Sequence, residues 1–416
     1  MLPTWTTWHD VQHRYDWFAQ MRAVQPVWLD EQSQCWHVFR SADVRRVLTE
    51  HATFSANPQL ATSPEHDPQQ VSNLATMDPP RHHQYRALVA SAFSLQALTP
   101  LTEHITTLVQ DQLALVRPPG SLDLIADLAA PVSATIIAEM LGLPSTDHPR
   151  FIRWADALLA SQVSDEELFQ APGDQRTCPV PQRTDVALEE MTTYLTSLLM
   201  HRRLQPRDDL MRTLLTAEVD GKRLSQEEIL SFCILLLLAG HATTMTLLGN
   251  AMLCLNASPA ALRALQTHPG LLPRALEEVL RYASPVYRVL RVTRHPVEIA
   301  HVTIPAHARV FAWLASANRD GAHFAHPAHF DMLRTPNRHL AFGAGSHVCL
   351  GASLARLEAS IILSTLLTRY PGLCVVADQP LELVGSHLLF GVKQLLLTFP
   401  PSSSQEREMQ TEKNLD

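Results

Sequence analysis

Apolar residues recur at helical spacing from Pro80 to about Tyr370, and the pattern predicts helices around 81–93, 100–116, 126–142, 184–204, 225–257, 271–283 and 351–369. Beyond Tyr282 the period shortens. VYRVLRVT, VEIAHVTI and ARVFAW alternate as strands do, and so do LCVVAD and QLLLTF towards the end. Near the N-terminus VWLDEQ and CWHVFR flank a polar turn, which predicts a hairpin, and a helix begins near Ser41. The fold class is therefore mainly α with a small β portion, strands coming from about 24–40, 286–312 and 373–400 and helices from about 80–283 and 351–370. Nothing repeats internally, so residues 1–400 are expected to form one domain, with the polar tail 402–416 disordered. Stretches 55–76 and 162–184 lack periodicity, and loops this long inside a compact enzyme usually act as lids or binding loops.

Composition narrows the function by exclusion. Of the 416 residues 46% are hydrophobic and 18% charged, as in ordinary globular proteins. A net charge of −8 with no dense basic run argues against nucleic acid as a partner. The N-terminal MLPTWTTWHDVQHRYDWF has no continuous apolar region, and the longest apolar run, near Cys233, is too short to span a bilayer. A cytoplasmic monomer without a membrane partner is expected. The six cysteines are scattered and never spaced CxxC, so neither a disulfide framework nor a zinc knuckle is indicated. HFAHPAHF places histidines at 323, 326 and 329, but Pro327 interrupts the helix that would align them and no further ligand completes a metal set.

Two segments depart from the pattern. LLLLAGHATT, residues 235–244, puts a glycine, a histidine and two threonines into an otherwise apolar helix, although glycine there costs about 1 kcal/mol relative to alanine. AFGAGSHVCLG, residues 341–351, gathers three of the chain's fourteen glycines around Cys349, just before the apolar helix that starts near Ala352. The free N–H groups and positive dipole end of a helix N-terminus stabilise a thiolate, and glycines let the backbone wrap closely around the sulfur. A haem iron can be held in this way by one cysteine. The dinucleotide fingerprint GxGxxG fails, because Val348 occupies the place of its third glycine.

Phe342, Gly343, Gly345, His347, Cys349 and Gly351 resemble the cysteine loop of the cytochrome P-450 family in its soluble bacterial form. Further segments fall in the same order along nearly the whole chain. Glu278 and Arg281 in ALEEVLRY look like the family's ExxR pair, whose implied role is structural, tying that helix to the meander before the cysteine. His82 and Arg86 in MDPPRHHQYRALVASAF, Arg291 in RVTRHPVEIA, and His347 match the residues that grip the haem propionates. His82 and Arg86 are spaced i, i+4 and so share a helical face, while His83 reads as surface. AGHATT resembles the middle of the long distal helix, with Ala239 and Gly240 giving the porphyrin room and Thr243 as the hydroxyl that orders proton delivery to oxygen. The departure is Ala242, which stands where the family usually carries an acid.

The resemblance implies the family's fold, a triangular prism of about a dozen helices with haem b between the distal helix and the Cys349 loop. It also implies a monooxygenase that hydroxylates or epoxidises a small-to-medium apolar molecule with O2. By register the substrate pocket takes Leu235, Leu236, Ala239, Val286, Tyr287, Val289, Leu290, Leu388, Leu389 and Phe390, with Tyr287 narrowing it. Electrons are expected from a ferredoxin or flavodoxin and its NAD(P)H-dependent reductase. Ala242 keeps three alternatives open: a peroxide-dependent enzyme, an isomerising one, and a non-catalytic haem-binding partner protein.

Overall fold

The computed structural model describes residues 10–62, 73–114, 116, 120–160, 186–377, 379–384, 386 and 388–399. The expected loop at 162–184, part of the one at 55–76 and the tail at 402–416 lie outside them. Helices occupy Asp10–Val24 (α1), Ser41–Thr49 (α2), Arg81–Ala90 (α3), Leu95–Leu98 (α4), Leu101–Ala114 (α5), Ala130–Met140 (α6), His148–Ala160 (α7), Val186–Leu204 (α8), Leu210–Thr216 (α9), Gln226–Asn256 (α10), Pro259–Thr267 (α11), Leu272–Tyr282 (α12), Leu314–Ala317 (α13) and Ala352–Arg369 (α14). Strands are Val27–Asp30 (β1), Cys35–Val38 (β2), Phe54–Ser55 (β3), Gly120–Asp123 (β4), Glu218–Val219 (β5), Lys222–Arg223 (β6), Val289–Thr293 (β7), Val297–Ile299 (β8), Val302–Ile304 (β9), Arg309–Ala312 (β10), Cys374–Val375 (β11) and Leu396–Phe399 (β12).

The long helix α10 organises the core. Its start is fixed by a capping box: the Ser225 hydroxyl accepts from the Glu228 N–H while the Glu228 carboxylate accepts from the Ser225 N–H. Apolar residues around most of its circumference, among them Leu236, Leu237, Leu247, Leu248 and Met252, are buried, as expected of a helix enclosed by others. By length and hydropathy α10 could cross a membrane, more than the unbroken run near Cys233 predicted, yet 56% of that window is buried inside this fold.

Strands from both ends of the chain meet in a five-stranded sheet of order β1-β2-β10-β7-β3. Its β2–β10 pair is parallel, and β10 pairs antiparallel with β7 in a register that sets Val310 opposite Arg291. A smaller core, including Val38, Val44, Leu48 and Val310, seals this sheet against α2. Asp320 caps α2 from a distance, its Oδ2 accepting from the Ser41 N–H at 2.8 Å.

Helix α1 was not legible as a periodic pattern because its aromatics point several ways. Phe18 is fully buried, and Trp17 packs edge-on against Phe39 with ring centroids 5.3 Å apart. Helix α7, also unforeseen, buries Phe151 and Trp154 against Tyr194 of α8.

Candidate functional site

A cavity of about 200 Å³ lies between α10 and the cysteine loop. Thr243 and Leu247 of α10 form one wall, Phe342, Gly343 and Cys349 another, and Val286, Val289 and Arg291 close the side next to the sheet. Cys349 is accessible to this cavity although protein surrounds its sulfur.

The loop around Cys349 is shaped by its glycines. Gly343 and Gly345 both adopt left-handed backbone, at φ 73° and 74°, and a Cβ on Gly345 would come within 3.1 Å of the Leu48 carbonyl on α2. The Cys349 N–H donates to the Phe342 carbonyl at 2.8 Å, which closes the loop on itself. Burial pushes the Cys349 thiol up, and it is opposed by the Gly351 N–H and the charges of Arg86 and Arg356. A metal ion that binds this sulfur must therefore displace a proton.

At the sheet end of the cavity two buried histidines gather beside Arg86 and Arg291. The His82 and His347 rings sit 4.0 Å apart, and His82 Nδ1 and His347 Nε2 are buried without a hydrogen-bond partner. Burial first, then the charge of Arg86, pushes His82 down to about 4. Burial, then Arg291, His82 and Arg86, pushes His347 down to about 3, and burial lowers Arg291 to about 10 despite the attraction of Asp78. Desolvated arginines beside unpartnered buried ring nitrogens call for an anion with hydrogen-bonding oxygens. His83, by contrast, is exposed.

The supports of this site are rigid. Arg281 and Glu278 are fully buried and joined by bonds of 2.7 and 2.8 Å, and Arg281 also donates to the carbonyls of Asn318, Pro327 and His329. Arg334, Asn337 and the Asp331 N–H also donate to Glu278. A surface salt bridge is thereby excluded; this is a buried clamp between α12 and the segment before the cysteine. Asp78 fixes the approach to α3, accepting from Arg294 at 2.5 Å and from the Ala56 N–H at 2.8 Å.

On α10 the structure sharpens three expectations. Thr243 lines the cavity, but its hydroxyl donates to the Ala239 carbonyl at 2.7 Å; as placed it offers lone pairs rather than a proton to the cavity. Ala242 is 3% exposed and turns into the protein, away from the cavity that Thr243 faces. A Cβ on Gly240 would meet Ile137 of α6 at 3.1 Å, so the glycine serves close packing of α10 on α6 rather than room for a ligand.

Of the expected pocket residues, Val286 and Val289 line the cavity. Tyr287 does not: its ring packs beside Arg14 and Trp313, and its hydroxyl donates to the Ser386 carbonyl at 3.1 Å. Leu290 is turned away by strand alternation, which puts Val289 and Arg291 on the opposite face of β7. Phe390 is buried under the Arg14 guanidinium, Leu389 bridges to Val286, and Leu236 is a core residue. Leu235, Ala239 and Leu388 also lie outside the lining of this cavity. Sequence reasoning missed Leu48, Leu280 and Leu314, which do line it. It also missed Glu277, which accepts from both Arg356 and His339 beneath Phe342. His323, His326 and His329 are exposed, and no His/Cys/Asp/Glu cluster fit for a metal occurs among the described residues.

The family model "Cytochrome P450" matches residues 6–268 and 268–397. The chain belongs to the cytochrome P450 family. P450 proteins bind haem b, and relatives are hydroxylases and epoxidases, so this chain is a haem b monooxygenase. The erythromycin C-12 hydroxylase of Saccharopolyspora erythraea is 40% identical over 367 residues, 88% of this chain and 89% of that protein. The cyclomarin C epoxidase CymV of Salinispora arenicola is 34% identical over 385 residues, covering 92% and 95% of the two chains. Among solved structures, a mutant of P450 EryK in complex with erythromycin B superposes with a TM-score of 0.86 at 38% identity, covering 95% and 98%. The residues present fit the P450 cofactor. Two buried ring nitrogens lack partners beside Arg86 and Arg291, where carboxylates would satisfy them, and a thiol faces the same cavity.

Proposed function

We propose that the protein hydroxylates or epoxidises an apolar molecule of small to medium size, with O2 and electrons from an external ferredoxin or flavodoxin and its NAD(P)H-dependent reductase. The carrying observation is one cavity with Cys349 on one wall, Thr243 on the facing wall and Arg291 and His347 at one end, with His82 packed behind His347 and the charge of Arg86 acting on both rings. Haem bound there would supply oxygen activation. Cys349 would hold the iron as thiolate, and the cationic end would take the two propionates, Arg86 and Arg291 by charge-assisted bonds. Phe342, Gly343 and Gly351 would shape the surface beneath the ring, and Glu278 with Arg281 would hold that loop in place.

Thr243 can accept a hydrogen bond from water or substrate in the cavity while it donates its own proton to the Ala239 carbonyl. Ala242 can neither hold nor pass a proton. Proton supply would then depend on water or on a hydroxyl of the substrate, and this favours peroxide use as a second reading. Leu247, Val286 and Val289 give the cavity an apolar wall that excludes water from the reacting carbon. Relatives named for erythromycin and cyclomarin C, and a solved relative in complex with testosterone, support a small-molecule substrate of this class. Cytoplasmic location fits a carrier-dependent enzyme of this kind.

The reduced, carbon monoxide-treated protein should show the Soret band of a thiolate-ligated haem, and Cys349→Ser should lose it. Ala242→Glu should raise the fraction of reductant recovered as product with a surrogate ferredoxin system. Unchanged coupling in that variant sinks the idea that the missing acid matters, and a serine variant with an unchanged band sinks the ligand assignment.

A further inference from the structure

Glu277 and Glu278 are neighbours on α12 with different surroundings, because successive helical residues are ~100° apart. Glu278 enters the core, whereas Glu277 is partly exposed and turns towards α14 and the cysteine loop. Its Oε1 accepts from Arg356 Nε at 2.6 Å, and its Oε2 accepts from Arg356 Nη2 at 2.9 Å and from His339 Nε2 at 3.1 Å. The Ala341 N–H donates to His339 Nδ1 at 3.2 Å, which assigns the proton of the neutral ring to Nε2. The Arg356 guanidinium lies 4.5 Å from the centre of the Phe342 ring, and the carbonyl of Phe342 accepts from the Cys349 N–H.

Burial would raise the Glu277 carboxyl, but hydrogen bonds from His339 and Arg356 and the Arg356 charge hold it down at about 2. It is therefore a fixed anion at any working pH. With side chains 32% and 39% exposed, the Glu277–Arg356 pair is too solvated to be a large source of stability. What it does control is position and charge: Glu277 fixes where Arg356 lies and how much of its charge is compensated, and Arg356 covers Phe342, whose carbonyl holds the Cys349 N–H.

We propose that Glu277 is a positioning residue for the cysteine ligand, clamping Arg356 over Phe342 and, through His339, the segment 340–342, and thereby setting the electrostatic field at the iron-bound sulfur. The proposal rests on the haem-thiolate reading above. Removing the Glu277 charge leaves Arg356 uncompensated over the loop that holds the sulfur, and extra positive charge there favours the reduced iron.

The test is the midpoint potential of the haem-loaded protein, with the reduced carbon monoxide spectrum and the rate of haem loss to apomyoglobin. Glu277→Gln should raise the potential and speed haem loss several-fold, and Glu277→Asp, which keeps the charge, should restore most of the wild-type potential. In an Arg356→Gln background the Glu277→Gln shift should vanish. A Glu277→Gln potential equal to wild type, or the same shift with and without Arg356, overturns the proposal. Absence of the thiolate band in the wild type overturns instead the reading beneath it.

Discussion

Glu358 sits inside α14 at 1% exposure, nine residues after Cys349, and its Oε2 has no hydrogen-bond partner. Burial pushes this carboxyl up to about 8, against an unfolded value of ~4.3. Between those values the folded chain holds a proton that the unfolded chain has released, so stability falls as pH rises. The loss begins near the unfolded value and is complete above about 8. Glu358→Gln keeps the shape without the charge, and its thermal midpoint relative to wild type should rise steadily from about pH 5 to about pH 8. A difference that stays flat across that interval would mean that the carboxyl has found a partner. Nothing in ASLARLEASIILS distinguishes this inward glutamate from a solvated one, because helical phase is ambiguous where apolar residues nearly encircle the axis.

Two glycines of α10 illustrate how one element can use the same residue for opposite reasons. A Cβ added at Gly249 would meet only the tips of Ile125 and Val392, at 3.3 and 3.4 Å, whereas one at Gly240 would meet Ile137 close to its backbone, at 3.1 Å. Gly249→Ala should therefore stabilise by up to ~1 kcal/mol through helix propensity. Gly240→Ala should destabilise by ~1–3 kcal/mol through overpacking against α6. Thermal or denaturant unfolding of the two variants should move in opposite directions, and equal shifts would count against this packing. The length of α10 was legible because apolar residues resume on both sides of GHATT with no helix breaker between them, and the Cys349 loop because glycines cluster around a lone cysteine. Tyr287 was not, since the segment 286–290 enters β7 only at Val289 and alternation cannot be phased before the strand begins. Glu277 was not either, since its partners lie 62 and 79 residues away along the chain and only the packing of α12 on α14 brings them together.

At the scale of the whole molecule, a net charge of −8 would repel an acidic electron carrier, so docking depends on where the arginines are placed. Helix α2 packs on the turn Gly345–His347 and carries the exposed Arg45, and the exposed Arg338 stands four residues before Phe342. Both flank the loop that holds Cys349 and are separate from the cationic cluster inside the cavity. Attraction over such a surface reaches ~30 Å at 0.01 M salt but only ~8 Å at 0.15 M. Replacing Arg45 and Arg338 together by glutamine should lower the bimolecular rate of haem reduction by a surrogate ferredoxin several-fold at low salt, with the two proteins converging as salt is raised. The rate at saturating carrier should not change, because neither side chain lines the cavity. Stopped-flow reduction across a salt series separates these terms, and parallel salt profiles for variant and wild type would place the docking face elsewhere on the molecule.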